Sequence, residues 1–197
     1  MTRYSLLSAA LALLVLSGIT NAQLERQHDV HVHGTGTGNL SIDDNTLRLE
    51  LEIPGINLVG FEHAPADEGQ QAALDETVKF LRAAEWLTAD PQGACEIATV
   101  SAHTHGFGAG EEHEHHEHHE HHEHHEHHEQ DEHGDHGHAE FHLVVTLDCS
   151  SPERLAWVEV ELFEQFPGNE EILVDVLTPA VVAQVRLDRQ EARIPLE

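Results

Sequence analysis

The chain has 197 residues, with 37 acidic side chains against 9 basic ones and 21 histidines, giving a formal charge of -28 when the histidines are neutral. Phosphate backbones need a basic surface, so this balance excludes a nucleic-acid partner and favours a cationic one. The histidines titrate near neutrality, so modest acidification would add many positive charges.

The N-terminus reads as a secretory signal peptide over residues 1–22. Arg3 supplies a positive start, Leu6 to Leu16 an apolar run broken only by Ser8, and Thr20-Asn21-Ala22 small residues for cleavage after Ala22. The apolar run is too short for a permanent span, and no Cys follows it to take a lipid. The sequence therefore predicts an exported protein with no stable membrane anchor. The mature chain, 23–197, suits a single α+β metal-binding domain.

Within that domain Val30 to Ile42, rich in Gly and Thr, suits a strand. Thr46 to Ile53 alternates sharply, with Leu47, Leu49, Leu51 and Ile53 on one side and Arg48, Glu50 and Glu52 on the other. Asp43-Asp44-Asn45 between them makes a hairpin turn. Asn57 to His63 reads as irregular. Asp67 is the expected N-cap of a helix running to about Leu87, with Leu74, Val78 and Leu81 on its buried stripe. Cys95 to His105 and His138 to Cys149 read as two strands of one hairpin. Trp157 to Leu162 alternates as another strand. Ile172–Leu177 and Ala180–Leu187 form a final hairpin around Thr178-Pro179. The expected fold is α+β, an antiparallel sheet of six or seven strands with one main helix packed on it.

Residues 106–137 interrupt this pattern. The segment is little but His and Glu between glycines, with a repeated His-His-Glu triplet and no aliphatic side chain beyond Ala109. It cannot bury apolar area to offset the entropy of ordering, so a disordered His/Glu-rich loop is expected there. Its histidines are His113, His115, His116, His118, His119, His121, His122, His124, His125, His127, His128, His133 and His136. Neutral imidazole suits zinc, copper and nickel, and carboxylates complete a coordination shell. If the loop is helical, His115, His118, His119 and His122 share a face; if it is coil, the chain wraps the ion. Either way it offers several moderate sites and little preorganisation.

Further histidines come in pairs at strand spacing: His31 with His33, His103 with His105, and His138 and His142 around Glu140. Alternate strand residues project from one face, so each pair can give two ligands to one ion. His63 lies in the irregular segment. Cys95 and Cys149 are the two cysteines, and in an exported chain the default is one disulfide between them. That pairing poses a register conflict. With the two cysteines directly opposite, position 103 faces 141, so His103 shares a face with Phe141 and not with His142. A bulge, an offset disulfide or ligation from strand ends would remove the conflict, and sequence does not choose. No phosphate loop, nucleophile elbow or H-E-x-x-H pattern is present, so no enzyme is expected.

The order of these motifs is that of a known family. His31-Val32-His33-Gly34, then Leu58-Val59-Gly60-Phe61-Glu62-His63-Ala64-Pro65, a helix, a Cys, a His-rich stretch, a second Cys and Phe163-Glu164-Gln165-Phe166-Pro167-Gly168 follow one another through most of the mature chain. The chain thus resembles the zinc-regulated periplasmic zinc-binding proteins of the ZrgA type. The resemblance implies a periplasmic component of zinc acquisition that supports a zinc uptake transporter, and a metal role for His31, His33 and His63. Three other readings stay open. The substrate-binding subunit of a metal ABC transporter also carries a His-rich loop but needs two lobes and a far longer chain. Nickel or copper storage fits the same ligands. A copper-zinc superoxide dismutase also has a His-Val-His strand and one disulfide, but no full ligand set follows here.

Overall fold

A computed structural model describes residues 32–108 and 138–197. The expected signal peptide, His31 and the tract histidines from His113 to His136 lie outside the described residues. The expected insert begins at Gly106, and its first three residues are among those described. Gly106, Phe107 and Gly108 belong to the fold, because Phe107 is a buried side chain, set edge-on to Phe61 and Phe141.

The first hairpin forms as expected, from β1 (Thr35–Asp43) and β2 (Thr46–Pro54). Leu47, Leu49, Leu51 and Ile53 are wholly buried, as the alternation required. The Gly-Thr-Gly-Thr-Gly run also has a packing role: a Cβ at Gly38 would lie 2.5 Å from Leu51 Cδ2, so glycine there leaves room for the leucine. A four-residue helix α1 (Gly55–Leu58) follows, where an irregular segment was expected.

Helix α2 spans Glu68–Ala83 with Asp67 as N-cap, its carboxylate accepting from the Gln70 N–H at 2.9 Å. It ends four residues before Leu87. Ala84 turns left-handed (φ 53°), and the Trp86 indole N–H reaches back to the Leu81 carbonyl at 2.9 Å. That cap releases Leu87 into β3 (Leu87–Ala89).

Strands β4 (Cys95–His105) and β5 (Glu140–Cys149) form the expected hairpin, except that His138 precedes its strand. β6 (Trp157–Val160), β7 (Glu171–Leu177), β8 (Val182–Asp188) and β9 (Arg193–Pro195) complete the chain. Two corrections concern their pairing. The main sheet has six strands in the order β4-β5-β2-β1-β7-β8, while β6 leaves it for a separate sheet, β3-β6-β9. The main sheet is also mixed, since β1 and β7 run parallel. The long excursion through the smaller sheet returns β7 to the starting end of β1, where the Glu170 and Glu171 N–H groups both donate to the Gly34 carbonyl. A parallel pair needs just such a long connection.

One hydrophobic core joins the inner face of the six-stranded sheet, helix α2 and the small sheet, from Leu40 and Phe141 to Trp86, Val158 and Ile194. The opposite face of the six-stranded sheet carries the exposed and half-buried halves of the alternation.

The register conflict is resolved by a bulge. Cys95 lies opposite Cys149 and the two form a disulfide. The pairing then slips by one residue between Ile97 and Thr99, leaving Ala98 as the extra residue. Beyond the slip His103 lies opposite His142, and Thr104 takes the place opposite Phe141.

Candidate metal centre

Strand direction sorts the ligating residues. β1 begins, β2 ends, β4 ends and β5 begins at one end of the main sheet, so His33, His63, His105 and His138 gather there, with His103 and His142 two residues further in. The disulfide, with the Asp43–Thr46 turn, occupies the other end. Every histidine among the described residues belongs to the first end.

The centre of that end is Glu62. Its side chain is 12% exposed, and the His138 Nδ1–H donates to its Oε2 at 2.8 Å. His33 Nε2 stands 3.6 Å from the same oxygen. The other carboxylate oxygen, Oε1, is buried and has no hydrogen-bond partner among the described residues. An orphaned buried acceptor costs about 1–3 kcal/mol, more when charged, so its presence calls for a cation or a further donor. A histidine that donates from Nδ1 to a carboxylate keeps its lone pair on Nε2. That is the tautomer and orientation used by zinc-binding histidines backed by carboxylates.

The backbone around Glu62 is fixed from several sides. His33 sits in a turn before β1, not on the expected strand. Gly34 has φ 87°, a conformation open to glycine, and its N–H donates to buried Asn57 Oδ1 at 2.8 Å. The Asn57 amide in turn donates to Asn169 Oδ1 at 3.3 Å. The His33-Gly34 turn, the Asn57 segment and the Pro167-Gly168-Asn169 turn are thereby tied together. Motifs distant in sequence become one support for a single imidazole.

His63 follows Glu62 but points to a different setting. Its ring is exposed, stacks on Phe61 with centroids 5.3 Å apart, and its Nδ1–H donates to the Ala64 carbonyl at 2.8 Å. This too is the tautomer with the lone pair on Nε2. His105 ends β4 opposite Glu140, and His103 lies opposite His142 on the outer face, with its Nε2 2.6 Å from the Ser101 hydroxyl.

The structure therefore brings His33 and His138 to Glu62, pairs His103 with His142, and leaves His63 beside the first group. Among the described residues no three His, Cys, Asp or Glu side chains are arranged to enclose an ion as they stand. The Glu62 group is closed on itself through nitrogen–oxygen contacts. Sequence reasoning missed Glu62. Its one signal was an acidic residue directly after the apolar run from Leu58 to Phe61. Among the described residues no helix is long and apolar enough to cross a membrane.

A family model described as ZrgA family zinc uptake protein matches residues 30–196. No curated protein matches the chain.

Proposed function

The chain belongs to the ZrgA family of zinc uptake proteins, and from that premise we propose that it is a periplasmic zinc-binding protein, not an enzyme, that captures zinc and supports its delivery to an uptake transporter. The observation that carries this reading is the buried Glu62 carboxylate, with His33 and His138 at one oxygen and, among the described residues, no partner at the other. A zinc ion would take His33, His138 and the neighbouring His63 as imidazole ligands. Glu62 would then either join them or orient them from behind. His31, two residues from His33, is the candidate for a fourth position.

The tract from His113 to His136 has a different part in this reading. Its thirteen imidazoles and interleaved glutamates supply many moderate sites, which suits collection of several ions per chain. The same ligands would accept nickel or copper, since imidazole sites follow the Irving–Williams order. Zinc is favoured because the family is one of zinc uptake.

The test is a zinc titration of the full chain against a competing chelator, alongside Glu62→Gln. A tight phase should precede the weaker tract sites, and the substitution should weaken that phase 10–100-fold, the usual cost of losing such a carboxylate. An unchanged tight phase in Glu62→Gln overturns the assignment.

A further inference from the structure

We infer that the outer face of the main sheet carries a second divalent-metal site, built from His103 and His142 with Glu52 as the carboxylate ligand. The inference rests on the zinc-binding reading of the chain, but not on the Glu62 cluster.

The register places these three residues in one row. His103 on β4 lies opposite His142 on β5, and His142 lies opposite Glu52 on β2. Residues directly opposite in an antiparallel pair share a face, with Cβ atoms about 5 Å apart. Two imidazoles at that spacing can take one ion between them. The long glutamate side chain on the third strand can reach over His142 to complete the set. Burial agrees with this placement: His103 and Glu52 are exposed and His142 is half-buried, while their strand neighbours Ala102, Phe141, Leu143, Leu51 and Ile53 face the core.

The bulge is what makes the site. Without the extra residue Ala98, position 103 would pair with 141, whose ring is fully buried, and the two histidines would face opposite sides of the sheet. Re-aiming a side chain is a recurrent use of bulges beside functional sites. The neighbouring rows of the same face do not repeat the pattern. They read Thr99–Thr146–Arg48, Ser101–Val144–Glu50 and His105–Glu140–Pro54. Three ligating side chains abreast occur in the His103–His142–Glu52 row alone among these.

The three side chains do not converge as they stand, and the His103 ring is drawn along its strand to Ser101. Binding requires rotating two exposed side chains and one half-buried one, and exchanging that solvent-accessible hydrogen bond. Two nitrogens and one carboxylate oxygen, with water in the fourth position, suit zinc, copper or nickel rather than calcium or magnesium. A site open on one side by this geometry would bind more weakly than a closed one and release its ion more readily.

The experiment is carbethoxylation of the full-length chain at a series of buffered free zinc concentrations, read residue by residue by mass spectrometry. His103 and His142 should become protected together, over the same zinc range. In His103→Ala, His142 should need at least tenfold more zinc for equal protection. In Glu52→Gln the pair should need several-fold more. His138 should be protected as in the parent chain in both variants. The inference is overturned if His142 is protected equally well in His103→Ala, or if neither histidine is protected while His138 is. Protection of the His103–His142 pair with His138 fully reactive would instead support this site and refute the Glu62 one.

Discussion

The two ends of the main sheet are built on opposite plans. At one end β4 and β5 are joined covalently by Cys95–Cys149, and the Cys149 N–H donates to the Asn45 carbonyl at the first hairpin turn. Gly93 packs tightly there against Leu155 and the Cys95 sulfur. No histidine among the described residues lies at that end. At the other end no disulfide joins the strands. A carboxylate is buried there with one oxygen unpartnered among the described residues, and the imidazoles gather. The contrast teaches that order is concentrated where no chemistry is needed, so that the ligating end can keep adjustable side chains on a fixed frame.

The largest effect should come from cutting the covalent end. Cys95→Ser with Cys149→Ser removes a cross-link spanning 54 residues, and should cost about 4 kcal/mol in urea unfolding on the chain-entropy model. Zinc affinity measured well below the unfolding transition should change little. A parallel collapse of affinity and stability would show that the two ends are not independent.

Glu62→Gln comes next, and should reverse that pattern. Tight zinc binding should weaken 10–100-fold, about 1.4–2.8 kcal/mol, with unfolding free energy altered by less than that. Calorimetry with denaturation of the same sample separates the two quantities. Asp67→Ala tests a site at neither end. Losing the α2 cap should cost about 1 kcal/mol of stability and leave zinc binding as it was. A change in zinc affinity would mean that the helix, and not only the loops, sets the geometry of the ligating end.

The smallest effect belongs to Asp188, opposite Glu171 on the outermost strand pair of the ligating end. The N–H groups of Glu191 and Gln190 hold its carboxylate below the usual range. Its contribution is therefore present at neutral pH and lost as pH falls through the acidic range. Asp188→Asn should lower the melting temperature slightly at pH 7 and by less at pH 3. Equal changes at both values would assign the effect to the turn's shape rather than to its charge.

How much of this was legible beforehand depended on the range over which each feature is encoded. The strict alternation of Leu47 to Ile53 and the Asp67 cap are local, and both were read correctly. The disulfide followed from having two cysteines in a chain read as exported. Strands β3 and β9 have three residues each, too few for any alternation to show. The parallel pairing of β1 with β7 depends on where a distant segment returns, which no local pattern records. The site divides in the same way. Histidine spacing marked His103 and His142 but left their face undecided, because a single bulged alanine between Ile97 and Thr99 has no signature. Glu62 is one acidic residue among many in an acidic chain. Its burial, rather than its type, sets it apart.

The anchoring of residues 107 and 139 has a practical consequence. Phe107 is wedged between Phe61 and Phe141 with centroids 5.7 and 5.3 Å away, and the Ala139 carbonyl accepts the Gly55 N–H at 2.6 Å. Both feet of the interrupted hairpin are therefore clamped to the body before the intervening chain begins. Doubling the length of a flexible loop between fixed points costs only about 0.6 kcal/mol. The position is a graft point, where peptides of other lengths and ligand chemistries can be exchanged for the native one while the sheet beneath keeps its register.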